Sequence, residues 1–309
     1  MRAGVWPPTP ASRYLRLVGN ARGAVSDSIS MTSGVVDDAF GAWTYLHCRP
    51  VHLAGLVDHI WLFDGAMTCL RERTFPNGLL EIIVHLGERY RVVDEHGAWL
   101  CPTNCLTGLQ LRHLVVEAPP HRTTVIGIRL TPAGAYALLG RPMHEISGLT
   151  VDLEDVMGAR AAQLASCCDE APTPDRRVRA AVRWVEEILE RAAEIDPAVA
   201  WMVGQMREQA GAVSIGRLRE QTGWSKTRLT TVFGEQVGVS AKQYARILRF
   251  TSALKLIHAG HASFAEIAAG TGYYDQPHLN AEFKELSGFT PREFQLAHRY
   301  ANSVSVAEG

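Results

Sequence analysis

A chain of 309 residues with 31 Lys and Arg against 32 Asp and Glu has a formal net charge of −1 and room for two domains, each of roughly 100–200 residues. Its apolar residues, 47% of the total, form no run of 18 or more, which argues against a membrane-spanning helix. No Gly-rich phosphate loop, His-Glu-x-x-His pair or Gly-x-Ser-x-Gly elbow occurs, so neither an enzyme nor a bound cofactor is expected.

The opening residues to Met31 carry Pro7, Pro8 and Pro10 among scattered Arg, Ser and Gly, and they lack the apolar core of a secretory signal. Residues 1–35 read as a disordered leader of a cytoplasmic protein, with Met31 as an alternative start. Short β-rich runs follow at Trp43–Cys48, His59–Phe63, Leu79–Leu86, Tyr90–Asp94, Leu106–Gln110, Leu114–Glu117 and Thr124–Leu130. Gly, Pro and Asn separate them. Many short strands at close spacing predict an antiparallel, barrel-like domain with flanking helices over residues 36–172. Helical patterning begins at Ala133–Leu139 and resumes at Ala159–Cys168. A connecting helix, 173–196, then runs from Pro174 to about Ile195, with Val178, Val182, Val185, Ile188 and Leu189 on one face. That face suits either a cover for the β-rich domain or a contact between subunits.

Six cysteines raise the question of a metal or redox centre. Only Cys101 and Cys105 have a metal-ligand spacing, and Cys167 and Cys168 are adjacent, so buried reduced thiols and no metal site are expected.

Residues 197–300 contain one helical motif written twice. Ile215, Leu218, Gly223, Leu229, Phe233, Gly238, Ser240 and Tyr244 recur as Phe264, Ile267, Gly272, Leu279, Phe283, Gly288, Thr290 and Phe294. In each copy a Ser cap opens a short helix, a Gly ends it, and Ser225 or Asp275 caps a second helix. Two helices about a Gly-containing turn form a helix-turn-helix, which places its second helix in a DNA major groove. Between the copies, Ser240–His258 carries apolar residues at three- and four-residue spacing, as a single linking helix does. Residues 205–300 hold twelve Lys and Arg against eight Asp and Glu, a local surplus suited to phosphate contact. Residues 301–309 read as a disordered tail.

The stretch Ala241-Lys-Gln-Tyr-Ala-Arg-Ile-Leu-Arg-Phe250, with Ile267-Ala-Ala-Gly-Thr-Gly-Tyr-Tyr-Asp-Gln276 and Gly288-Phe-Thr-Pro-Arg-Glu-Phe294, resembles the DNA-binding domain of AraC/XylS-type regulators. The β-rich part resembles the uncharacterised domain that precedes many such domains, through Tyr45–Pro50, Val57–Trp61, Phe75–Ile83, Leu106–Gly108 and Gly127–Gly134. The resemblance implies a transcriptional regulator that binds double-stranded DNA through two recognition helices reading adjacent major-groove segments. It also implies control by a small-molecule effector or by homodimerisation through the amino-terminal domain. The competing reading is a DNA-damage or redox/metal-sensing regulator using the amino-terminal cysteines.

Where many members carry a basic residue on the second recognition helix this chain has Ala281, and the equivalent point on the first helix is Thr231. The expected DNA-contacting residues are therefore Lys226, Thr227, Arg228, Thr230 and Thr231 in the first copy and Gln276, His278, Asn280 and Lys284 in the second. Gln and Asn pair with adenine, Lys and Arg with guanine or phosphate, and Thr meets a thymine methyl. Lys226 and Arg228 make the first helix the stronger expected reader. Among polar groups of the β-rich part, His85, Arg89, His113 and Arg129 are candidates for an anionic effector.

Overall fold

The computed structural model describes residues 29–38, 41–68, 71–94, 97–260, 262–296, 299–300 and 303–305. Residues 1–28 of the expected leader, Cys69, and residues 301–302 and 306–309 of the expected tail lie outside the described residues.

Among the described residues, eleven strands precede the helical third: β1 (Ile29–Asp38), β2 (Gly41–Pro50), β3 (Val57–Met67), β4 (Arg71–Thr74), β5 (Leu80–His85), β6 (Arg91–Asp94), β7 (Gly97–Leu100), β8 (Asn104–Thr107), β9 (Leu114–Glu117), β10 (Thr123–Leu130) and β11 (Thr150–Asp152). Two short ones, β12 (Arg299–Tyr300) and β13 (Ser303–Ser305), come after the last helix. They form two open antiparallel sheets, ordered β1-β2-β3-β10-β5-β8-β11 and β12-β13-β4-β9-β6-β7. The expected antiparallel β-rich domain is thus present but open: among the described residues no ladder joins the sheets, and β1, β11, β12 and β7 are their edges. β1 also occupies part of the expected leader, and β13 pairs with β4 from within the expected tail.

Strand register explains which face is buried. Leu106, Ile82, Ile128, Ile60 and Cys48 align across β8, β5, β10, β3 and β2, and all are essentially inaccessible. Helices α1 (Pro132–Leu139), α2 (Leu153–Met157), α3 (Ala159–Asp169) and α4 (Pro174–Leu189) adjoin this part of the fold. α4 buries Val178, Val182, Val185, Ile188 and Leu189 against its own domain, packing on β2 and β3. That apolar face is thus a cover and is closed to a partner subunit. α4 also stops at Leu189, short of Ile195, because the chain tightens at Arg191 and Ala192 and Ala193 N–H donates to Ala137 O of α1.

The helical third comprises α5 (Pro197–Glu208), α6 (Ile215–Thr222), α7 (Lys226–Arg228), α8 (Gly234–Val237), α9 (Ala241–Ala259), α10 (Phe264–Gly270), α11 (Gln276–Ser287) and α12 (Pro291–Leu296). Its two motifs are anchored differently. Leu218, Leu229, Phe233, Val237 and Tyr244 of the first belong to the same apolar cluster as the seven-stranded sheet. The second motif has a separate cluster of Phe250, Ile257, Ile267, Leu279, Phe283, Leu286 and Phe294, into which Phe75 from the β4–β5 loop inserts. Phe75 meets Phe250 and Phe294 edge-on, with centroids 6.4 and 5.7 Å away.

Further polar contacts tie the parts together. Tyr244 Oη donates to Gly78 O at 3.3 Å and Thr251 Oγ1 lies 3.3 Å from Pro76 O. A bulge in β3 at Asp58 lets its carboxylate meet Arg207 of α5 at 2.9 Å while the other oxygen takes His59 Nδ1, also at 2.9 Å.

Candidate nucleic-acid interface

The two motifs are built by local capping. Ser214 accepts from Arg217 N–H at the start of α6, and Gly223 ends that helix in the left-handed region at φ 69°. Ser225 then accepts from Arg228 N–H at 3.1 Å. In the second copy Ser263 and Glu266 form a reciprocal capping box, and Asp275 accepts from His278 N–H at 2.8 Å with Pro277 in the first turn.

The first recognition element covers the expected span but is not one regular α-helix. Between α7 and α8, Leu229–Phe233 is wound as a single wider π turn. Such turns insert a residue into the helical ladder and rotate the face presented by the next turn. Leu229 and Phe233 still point into the core, leaving Thr230 and Thr231 exposed.

Lys226, Thr227, Arg228, Thr230, Thr231, Gln276 and Lys284 are exposed. The Arg228 guanidinium lies 4.9 Å from the Trp224 ring centroid and 3.4 Å from an Asp196 carboxylate oxygen, which orients it beside the Ser225 cap. Thr230 Oγ1 donates back to Lys226 O at 3.1 Å, leaving its methyl as the outward chemistry.

His278 and Asn280 are placed differently from these seven. His278 Nδ1 accepts from Tyr274 N–H at 3.3 Å, its ring stands edge-on to Tyr273 at 5.3 Å, and Nε2 is 3.5 Å from Glu282. Its ring therefore braces the turn. Asn280 is half-buried, with Oδ1 enclosed and without a hydrogen-bond partner among the described residues.

One exposed group on this surface was missed in the sequence. Tyr274, just before the Asp275 cap, is 92% exposed. The Tyr273-Tyr274 pair held the signal: Tyr273 is buried and its neighbour is left outside. Behind α11, Arg246 of α9 bonds to Glu282 at 2.9 Å and to Glu285, and Arg249 lies 3.9 Å from Glu282. These arginines brace the second recognition helix against the linking helix.

The amino-terminal candidates do not converge. Arg129 donates to Glu81 at 2.7 Å, which also accepts from Trp61 Nε1 at 2.6 Å. Arg89 donates to Cys101 O, His113 lies against Gly288, and burial depresses the pKa of His85. A cavity of about 20 Å³, bounded by Asn77, Glu81, Gln110 and Arg129 among others, has room for about one water. Cys48, Cys101, Cys105 and Cys168 are buried; burial pushes Cys48 up to about 11. No three His, Cys, Asp or Glu side chains converge into a metal-binding group among the described residues.

This arrangement defines a double helix-turn-helix domain joined by one continuous helix. Residues 218–297 match the family model described as a helix-turn-helix domain, and residues 49–152 match a domain of unknown function (DUF6597). The chain is 31% identical over 84 residues to the F1 operon positive regulatory protein of Yersinia pestis, covering 27% of this chain and 28% of that protein. It is 31% identical over 94 residues to invasion protein InvF of Salmonella typhi, covering 30% of this chain and 44% of that one. The chain thus spans less than half the length of the curated relatives it matches. Among solved structures, ToxT from Vibrio cholerae is 12% identical with a TM-score of 0.42, covering 87% of this chain and 98% of that one. The carboxyl-terminal third is an AraC/XylS-type helix-turn-helix domain, preceded by that domain of unknown function. No described helix is long and apolar enough to cross a membrane.

Proposed function

We propose that the protein is a sequence-specific DNA-binding regulator of transcription, acting in the cytoplasm, whose two recognition helices read adjacent major-groove segments. The observation that carries this reading is the duplicated motif itself, with Lys226, Thr227, Arg228, Thr231, Gln276 and Lys284 all exposed on its recognition elements. The amino-terminal domain controls the reader through a small effector or through self-association. Self-association would need a surface other than the apolar face of α4, which is already covered. Selection of bound genomic fragments with full-length protein tests the reading. Recovery of a motif with two half-sites about one helical turn apart supports it; recovery of unrelated fragments with a purely salt-dependent affinity would sink sequence specificity.

A further inference from the structure

The two glycines that end the recognition elements occupy equivalent positions in the duplication, and the amino-terminal domain holds both. Gly238 caps α8 at φ 96° and Gly288 caps α11 at φ 77°. A Cβ on Gly238 would lie 2.3 Å from Ser147 Oγ and 2.9 Å from Met143 O. One on Gly288 would lie 2.7 Å from Arg73 Nη1 and 2.8 Å from His113 Cε1. Glycine is therefore favoured at each site by its left-handed backbone, and at Gly238 also by the close approach of the Met143 carbonyl.

Each contact also engages carbonyls at or next to a helix end. Ser147 Oγ is 2.9 Å from Gly238 O, with Met143 O as a second acceptor at 3.1 Å. His113 N–H donates to Leu286 O at 2.8 Å, and Arg73 donates to Ser287 O at 3.2 Å with its guanidinium 4.2 Å from the Phe289 ring centroid. A helix leaves its last carbonyls without intrahelical partners, and a cation is favoured there. Donors from the amino-terminal domain fill that role on α11.

We propose that the amino-terminal domain sets the half-site spacing this protein accepts, by clamping both recognition elements at their carboxyl-terminal ends. Ser147, Arg73 and His113 are positioning residues in this assignment, which rests on the DNA-reading function above. One added base pair moves a half-site about 3.4 Å along the duplex and about 34–36° around it. A rigid pair of readers accepts one spacing, and a loosened pair accepts several.

The test uses full-length protein and the selected operator, remade with one or two base pairs inserted or removed between half-sites. Wild type loses at least about tenfold in affinity per altered base pair, equivalent to about 1.4 kcal/mol. The Ser147→Ala, Arg73→Ala double variant keeps the parental affinity within about threefold but loses less than about threefold on altered spacings. Wild type indifferent to spacing, or a double variant with the wild-type penalty, overturns the proposal.

A second measurement needs no operator. Spin labels at Thr227→Cys and Lys284→Cys, with Cys69→Ser and Cys167→Ser so that the remaining native thiols are the four buried ones, give one narrow distance distribution in the parent and a broader one in the clamp variant. Equal widths overturn the clamp. Should the double variant fail to fold, Gly288→Ala strains one end alone and is read the same way. Failure to enrich any DNA motif counts against the DNA-reading function, while the label distances still decide the clamp.

Discussion

Phe75→Ala removes the side chain through which the amino-terminal domain completes the core of the second motif. Phe75 is 4% exposed, so its loss forfeits about 1.5–3 kcal/mol of apolar burial. Its edge-on contacts with Phe250 and Phe294 add about 0.5–1.5 kcal/mol each. The sum, about 2.5–6 kcal/mol, brackets the range of about 3–5 kcal/mol seen for buried Phe→Ala changes. Phe75→Leu, which refills most of the volume, should cost about half as much. Urea unfolding gives the magnitude, and hydrogen exchange resolved by residue gives the location: α10 to α12 should lose protection first. A fragment beginning at Asp196 should stay helical yet bind a hydrophobic dye, because Phe250 and Phe294 lose their cover. A loss below about 1 kcal/mol, or uniform loss of protection across both motifs, would refute the assignment of Phe75 to this core.

Arg228→Ala should weaken operator binding by about 1–3 kcal/mol in fluorescence anisotropy, more than Asn280→Ala, because the first side chain is exposed and the second half-buried; equal losses would remove the asymmetry. Tyr274→Ala should weaken binding severalfold without changing the melting temperature, since the ring has few contacts to lose at 92% exposure. Asp58→Asn should lower stability by about 2 kcal/mol at neutral pH. The hydrogen bond from His59 and the nearby Arg207 hold the Asp58 carboxyl at about 2, below its ordinary 3.8. Because the folded value is depressed, this stabilisation is fully present above about pH 4 and is lost as the pH falls through about 2. The gap between wild type and variant in pH-dependent denaturation should close over that window, and a constant gap would show that the carboxylate charge contributes nothing.

The duplicated motif was legible because its signals are local. Caps at Ser214, Ser225, Ser263 and Asp275, and the alternation of Gly with apolar residues, specify short helices whatever surrounds them. The sheets were less so. β4 is Arg71-Glu72-Arg73-Thr74, without an apolar residue, and becomes a strand through cross-strand partners such as Glu117, 3.2 Å from Arg71. β1 mixes Ser, Thr, Gly and Asp with one Val35-Val36 pair, which reads as coil until β2 is beside it. His278 has the composition of a DNA contact, and only the turn geometry at Tyr273 and Tyr274 reveals that its half-exposed ring also braces the turn. The clamp glycines were visible as helix stops. Their second role depends on Ser147 and Arg73, 91 and more residues away in the chain.

The unequal anchoring of the two motifs has a kinetic consequence. Fluctuations that open part of a protein track the boundaries of its apolar clusters. The first motif cannot open without disrupting the main cluster, so it meets its target as a preformed probe. The second rests on its own smaller cluster, closed by Phe75 and held at its far end by Arg73 and His113, so it is freed only when those few contacts are loosened, while the sheets stay intact. Loss of those contacts would turn one rigid reader into two, a firm first footing and a loose second.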